Sequence, residues 1–302
     1  MADPKVGVVT VTFNSEKVID GFMRSLLAQT HQDFVLYVID NASTDDTLAR
    51  LAGYRDPRIQ VLANDENKGV AAANNQGIRA SLRAGCELIW LINNDTEFEP
   101  RLLETLVAGL AARSCDLIVP KIMYYDAPER IWFAGGYFSR WRAYATLHYG
   151  KQQVDRGQFD VARRIDYAPT CCMLIRQAVF AEIGLMDETY FVYFDDADFC
   201  FRARRAGLRM LYYPSAVLLH KESSLTGGVQ SPFALRFSAR NKLYFLKKNL
   251  GPVWVLWAAL YEVYLLGRLV IGRDSWQAFK LRQQSFCAGV RLRSPARVLR
   301  AE

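Results

Sequence analysis

Four times in the first 125 residues, a short run of apolar and often β-branched residues gives way to polar turn residues and then to apolar positions at helical spacing. The runs are 6–13, 34–39, 59–63 and 88–93, and a further strand-like run covers 116–125. Near-continuous apolar runs suit strands buried on both faces. Strands alternating with helices imply βαβ units, a parallel sheet and right-handed crossovers. The fold class expected is therefore α/β, with helices flanking a mostly parallel sheet, and residues 1–125 read as a nucleotide-binding half. The run 88–93 is central: it stops abruptly at Asn93, Asn94 and Asp95, delivering a carboxylate to the carboxyl edge of the sheet, where open α/β sheets place their ligands.

A chain of 302 residues, half apolar and about a quarter charged, can bury a full core. Its six cysteines show no C-x-x-C spacing, so free thiols in a reducing compartment are expected. Met1-Ala-Asp-Pro-Lys5 carries no apolar signal region, which suggests the cytosol or the cytosolic side of a membrane. The formal charge of +7 is concentrated late. Over 273–302, Arg273, Lys280, Arg282, Arg291, Arg293, Arg297 and Arg300 face only Asp274 and Glu302, a net of +5. Such a tail suits anionic lipid or nucleic acid, or is simply solvated.

From 126 the pattern loosens into aromatic, glycine-containing segments, then returns as a strand over 169–175 and a helix over 177–183. A helix with aspartates at its start and Arg202, Arg204 and Arg205 near its end follows, then a strand over 209–219 that ends on His220. Residues 250–272 approach the length needed to span a bilayer, but Glu262 and Arg268 interrupt them. With Trp254, Trp257, Tyr261 and Tyr264 in the segment and the basic tail after it, a helix lying on a membrane surface is the first reading. A core helix and a true span are the others.

A metal bound to a diphosphate needs few protein ligands, and Asp95 and His220, each at a strand end, are candidates. Taken alone, either reads equally as a turn residue or an ordinary histidine. In Asp195-Asp-Ala-Asp198, 100° per residue puts Asp195, Asp198 and Arg202 on one face, with Asp198 and Arg202 paired at i, i+4. Asp196 points away and is free for a reaction. Neighbouring negative charge raises its proton affinity, as a general base for a hydroxyl requires. The plain alternative is a set of acids complementing a helix dipole.

Val11-Thr-Phe-Asn14, Val38-Ile-Asp-Asn-Ala-Ser-Thr-Asp-Asp-Thr47, Asn67-Lys-Gly-Val-Ala-Ala-Ala-Asn-Asn75, Leu91-Ile-Asn-Asn-Asp-Thr96, Phe194-Asp-Asp-Ala-Asp198 and Leu218-Leu-His220 together resemble family 2 glycosyltransferases of the GT-A fold. The likeness covers roughly residues 5–248 and is greatest to bacterial rhamnosyltransferase-like and galactofuranosyltransferase-like members. It implies a Rossmann-like GT-A domain of two halves, 1–125 for the nucleotide-sugar and 126–248 for acceptor and catalysis. A helical, basic, membrane-associating extension covers 249–302. It further implies that Thr12 and Asn14 line the nucleotide site, Asp40 contacts the base, and Asn67, Gly69 and Asn74 shape the donor pocket beside Asn93 and Asn94. Asp95 and His220 would bind Mg²⁺ or Mn²⁺, and Asp196 would be the base with Asp195 supporting it. The usual Asp-x-Asp metal motif stands here as Asn93-Asn94-Asp95. Arg240 is read as a holder of the leaving diphosphate, or as solvated charge.

The activity expected is inverting transfer of a sugar, best matched by L-rhamnose from dTDP-rhamnose, to a hydroxyl of a growing lipid-linked bacterial surface polysaccharide. UDP-galactofuranose, UDP-hexose or UDP-HexNAc are alternative donors. The setting expected is the cytoplasmic face of the inner membrane, with no nucleic-acid partner. Acceptor contacts are expected in 126–175, including Trp132, Tyr137 and Trp141. A dinucleotide oxidoreductase is disfavoured because no G-x-G-x-x-G follows the first strand, and a non-enzymatic membrane adaptor rests on the tail alone.

Overall fold

The computed structural model describes residues 3–221 and 231–293. Arg297, Arg300 and Glu302 of the basic tail lie outside the described residues. The first half runs β1 (Val6–Thr12), α1 (Ile19–Leu27), β2 (Phe34–Asp40), α2 (Thr47–Ala52), β3 (Ile59–Ala63), α3 (Val70–Arg83), β4 (Leu88–Ile92), β5 (Thr96–Phe98), α4 (Leu102–Ala112) and β6 (Leu117–Tyr124). Then come β7 (Ile131–Phe133), β8 (Gly136–Ser139), β9 (Ala145–His148), β10 (Arg163–Arg164), β11 (Cys172–Arg176), α5 (Gln177–Ile183), α6 (Asp195–Arg205) and β12 (Met210–His220). Helices α7 (Pro232–Asn249), α8 (Trp254–Val270) and α9 (Trp276–Arg291) close the described chain.

The main sheet has the order β10-β12-β6-β11-β4-β1-β2-β3, with β5 added beside β12 and β7 beside β6. Strands β1 to β4 are parallel, as their apolar runs require, and the outermost, β3, is half exposed. The sheet as a whole is mixed, with parallel and antiparallel pairings. Strand β11 runs antiparallel between β4 and β6, because the chain re-enters the sheet at the edge where β4 ends instead of through a crossover helix. Asn93 N–H donates to the Cys171 carbonyl at 3.0 Å at that re-entry, so β11 begins beside the polar end of β4. Trp90, wholly buried in β4, meets Phe98 edge-on at 5.4 Å and donates to Cys172 Sγ at 3.2 Å.

Asn14 and Ser15 do not cap α1 by their side chains. The helix starts after Val18, while Asn14 takes a left-handed φ of 51° and its side-chain oxygen accepts from Thr44 N–H at 2.8 Å. All six cysteines are free. Helix α9 lies along α7, and α8 projects beside them with only Ala258 and Leu265 buried, which excludes the core-helix reading of 250–272.

Candidate active site

The polar end of β4 meets the end of β12 through a strand the sequence reading missed. Thr96 of β5 pairs with His220, and Asp95 C=O accepts from Lys221 N–H at 2.9 Å. Two residues 125 apart in sequence are thereby joined, with His220 Nε2 3.3 Å from Asp95 Oδ1. Burial disfavours a charged His220, yet the Cys171 sulfur and the Asp95 carboxylate beside it hold its pKa well above the ordinary value. Two ligands at about 2.1 Å on neighbouring positions of one octahedral ion stand about 3 Å apart, so this pair fits a divalent cation. Asn94 donates to Val11 C=O, while its buried Oδ1 has no partner among the described residues and adds a hard-oxygen donor nearby. Among the described residues no three His, Cys, Asp or Glu side chains are grouped so as to hold a metal ion, so diphosphate oxygens and water would complete the shell.

Asp196 lies at the first turn of α6, with Tyr167 Oη donating to its Oδ2 at 2.8 Å and Ala197 N–H donating to its Oδ1 at 2.6 Å. Burial raises its pKa, and these two donors pull it back. Asp195 is fully buried beside it and is pushed up to about 8, by burial first and then by the Asp196 charge. Both carboxyls are thus shifted toward the protonated form, Asp195 further than Asp196. Asp198 is structural, as the i, i+4 pattern predicts. Arg202 Nε donates to it at 2.8 Å, Lys248 Nζ at 2.9 Å and Asn249 at 2.9 Å, and despite burial these partners hold its pKa low.

The turn that delivers these aspartates is strained: Phe191, Tyr193 and Phe194 all have positive φ, at 64°, 62° and 70°. It is held from α7. Asn241 Nδ2 donates to the carbonyls of Tyr190, Val192 and Tyr193 at 2.9, 2.7 and 2.8 Å. Arg240 Nη2 donates to those of Thr189 and Tyr190 at 3.0 and 2.8 Å, and its Nε to Asn241 Oδ1 at 2.8 Å. Two of the Arg240 donors are thereby taken up, Nη2 by the turn and Nε by Asn241, because backbone carbonyls forced outward by left-handed residues need buried donors.

The residues assigned to the donor surround the ends of β1 and β2. Asp40 is fully buried and accepts from Thr12 Oγ1 at 2.7 Å and from Ser43 Oγ at 2.6 Å, while Asn67 Oδ1 accepts from Gly69 N–H at 2.9 Å. Asn74 is buried on the first turns of α3, and Asn93 is exposed. Gly69 has φ of 82°, and a Cβ there would stand 2.5 Å from the Phe191 carbonyl, which accepts from Val70 N–H at 2.6 Å. The donor loop thus touches the turn that presents Asp195 and Asp196.

Rings link Asp196 to the pair Asp95 and His220. Tyr167 stacks on His148 at 5.8 Å, His148 meets Trp132 edge-on at 5.1 Å, and Trp132 meets His220 at 4.6 Å. Tyr137 stacks on Tyr149 nearby, whereas Trp141 stands 94% exposed on a turn outside this cluster. The sequence reading missed Tyr167, His148 and the clamp role of Asn241. None sits in a periodic or charged pattern, and the contact of Tyr167 depends on a long-range bridge to Gly136.

The mixed α/β sheet, with candidate residues at the carboxyl edge of β4, is a fold that solved structures share. GalNAc-T7 with UDP, GalNAc and Mn²⁺ aligns over 93% of this chain and 55% of its own, with a TM-score of 0.63 and 14% identity. The profile described as "Glycosyl transferase family 2" matches residues 7–184, and the chain belongs to that family of sugar-transferring enzymes. Among relatives, the N-acetylglucosaminyl-diphospho-decaprenol L-rhamnosyltransferase of Mycobacterium tuberculosis is 27% identical over 241 residues, covering 73% of this chain and 77% of that one. The O-antigen biosynthesis protein RfbC of Myxococcus xanthus is 29% identical over 232 residues, and the match spans only 18% of its length.

Proposed function

We propose that the chain transfers a sugar with inversion, best matched by L-rhamnose from dTDP-rhamnose, to a hydroxyl of a lipid-linked oligosaccharide at the cytoplasmic face of a bacterial membrane. The observation that carries this is the unbroken run of contacts from Asp95 and His220, through Trp132, His148 and Tyr167, to Asp196. In this reading Asp95 and His220 hold the cation and Asp196 is the base, joined through that run. The rhamnosyltransferase named among the relatives favours rhamnose, and the UDP in GalNAc-T7 keeps a UDP-sugar as the second reading.

The nucleotide seats over the ends of β1 and β2, near Thr12, Asn14, Asp40, Asn67, Gly69 and Asn74. Mg²⁺ or Mn²⁺ bound by Asp95 and His220 would supply charge neutralisation at the departing diphosphate. Asp196 accepts the proton of the acceptor hydroxyl as that oxygen bonds to the anomeric carbon, and the bond from carbon to phosphate oxygen breaks on the opposite face. Asp195, retaining its own proton, keeps the pair from carrying two adjacent charges. Trp132 Nε1, buried with no hydrogen-bond partner among the described residues, offers a donor to the acceptor.

The test is a screen of nucleotide-sugars for hydrolysis and transfer with the wild type and Asp196→Asn. Loss of about 10²–10⁴ in kcat with near-normal titration of dTDP or UDP is expected of a lost general base. Near-normal turnover of the variant would remove Asp196 from that role, and absence of nucleotide binding would sink the whole reading.

A further inference from the structure

The hairpin of α8 and α9 is inverted relative to a pair of helices in water. The polar side chains of α8 turn inward: Glu262 accepts from Gln283 of α9, and Arg268 donates to the buried Asp274 at 2.6 and 2.8 Å, where Arg282 also reaches at 3.4 Å. Its apolar side chains turn out. Val255, Leu256, Leu260, Val263, Leu266 and Val270 are exposed, Val263 at 66% and Val270 at 84%. A helix pair in water does the opposite, because its charged groups gain hydration outside and its apolar groups gain cover inside.

A second apolar point stands next to this face. Trp141, 94% exposed, sits at the tip of a 3-10 turn between Arg140 and Arg142, both exposed. Three residues on, Tyr144 meets Trp257 of α8 edge-on at 5.3 Å, so the turn abuts the first turns of that helix. Indole beside guanidinium is the combination that suits the boundary between headgroups and acyl chains.

We infer that the outer face of α8 and the Arg140-Trp141-Arg142 turn form one docking surface for an anionic lipid bilayer. Its occupant is fixed by two features: the apolar side of α8 is flanked by cations rather than by mixed charge, with Arg273 and Lys280 exposed at the far end of the hairpin, and its own charged groups turn inward, Arg268 onto Asp274 and Glu262 onto Gln283. The helix lies in the interface and does not cross it, since spanning would part Glu262 from Gln283 of α9 and Arg268 from Asp274 just before α9, and α9 is fixed to α7. This deepens the lipid-linked acceptor reading: the turn carrying Trp141 connects β8 to β9, whose His148 stacks on Tyr167, so docking sets the acceptor side of the site against the bilayer.

The test uses the whole chain with phosphatidylcholine vesicles, with and without phosphatidylglycerol, by co-sedimentation and by quenching of tryptophan fluorescence with brominated lipid. Binding to the anionic vesicles is expected, falling about tenfold in Trp141→Ser and in Val263→Asp. Replacing Arg140 and Arg142 by Gln should cost about fivefold per charge, on anionic vesicles only. Trp141→Phe should remove a share of the quenching. No vesicle binding, or binding that all these variants leave unchanged, would overturn the inference. So would a homodimer that Val263→Asp dissociates while vesicles bind nothing, which would assign the face to a second copy. Nucleotide titration on the same preparations needs no lipid, so a failure of sugar-transfer chemistry is read apart from a failure of docking.

Discussion

Tyr167 donates its hydroxyl hydrogen to Asp196 Oδ2 at 2.8 Å, across 29 residues of sequence. Burial raises the Asp196 pKa and this donor lowers it, so Tyr167→Phe should raise it further. A base acts when ionised, so the acid limb of kcat/KM should move to higher pH, with much of the rate recovered above it. Paired pH profiles check this, and an unmoved limb would reduce Tyr167 to packing.

Asn241 is fully buried, and its amide serves three carbonyls of the strained turn before Asp195. Asn241→Ala leaves them without that donor, at a cost of about 2–4 kcal/mol. The melting temperature should fall, and kcat should fall more than nucleotide affinity, because the turn carries the base. Thermal melts with steady-state kinetics test it; a lowered melting temperature with unchanged kcat would confine Asn241 to stability.

At Gly69 both the φ of 82° and the 2.5 Å approach to the Phe191 carbonyl forbid a side chain. Gly69→Ala should cost about 1–3 kcal/mol of strain and weaken nucleotide binding by roughly tenfold, a factor equivalent to about 1.4 kcal/mol. Calorimetric titration of dTDP and UDP reads this directly.

Lys242 is buried with no hydrogen-bond partner among the described residues, near the rings of Phe194 and Tyr261, and burial alone brings its pKa down to about 7. Above that pH the folded chain holds fewer protons than the unfolded one, whose lysine titrates near 10.5. Stability should therefore rise with pH from about 7 toward 10.5, and Lys242→Met should abolish that rise. Denaturant midpoints across that range are the measurement, and parallel curves for the two proteins would refute it.

Strand ends were legible because an apolar run that stops at Asn93 or at His220 marks where a buried strand meets solvent. Their meeting was not, since it depends on β5, three residues long and too short to show a period. Asp196 could be separated from Asp195 and Asp198 by helical geometry alone. The direction of β11 was hidden because an apolar strand reads the same parallel or antiparallel. The grip of Arg240 and Asn241 on the turn was hidden for a related reason: their acceptors are carbonyls turned outward by Phe191, Tyr193 and Phe194, and nothing in those aromatic residues announces a positive φ.

A hydrogen atom at position 289 has a consequence for the far side of the molecule. Were Gly289 to carry a Cβ, it would lie 2.3 Å from the carbonyl of Arg240, so α9 rests on the residue that grips the catalytic turn. The C-terminal helices are thus a buttress for that turn. Shortening the chain ahead of α9 would loosen the grip on Asp196 from behind, so a truncation there should weaken the proposed chemistry as well as the proposed docking.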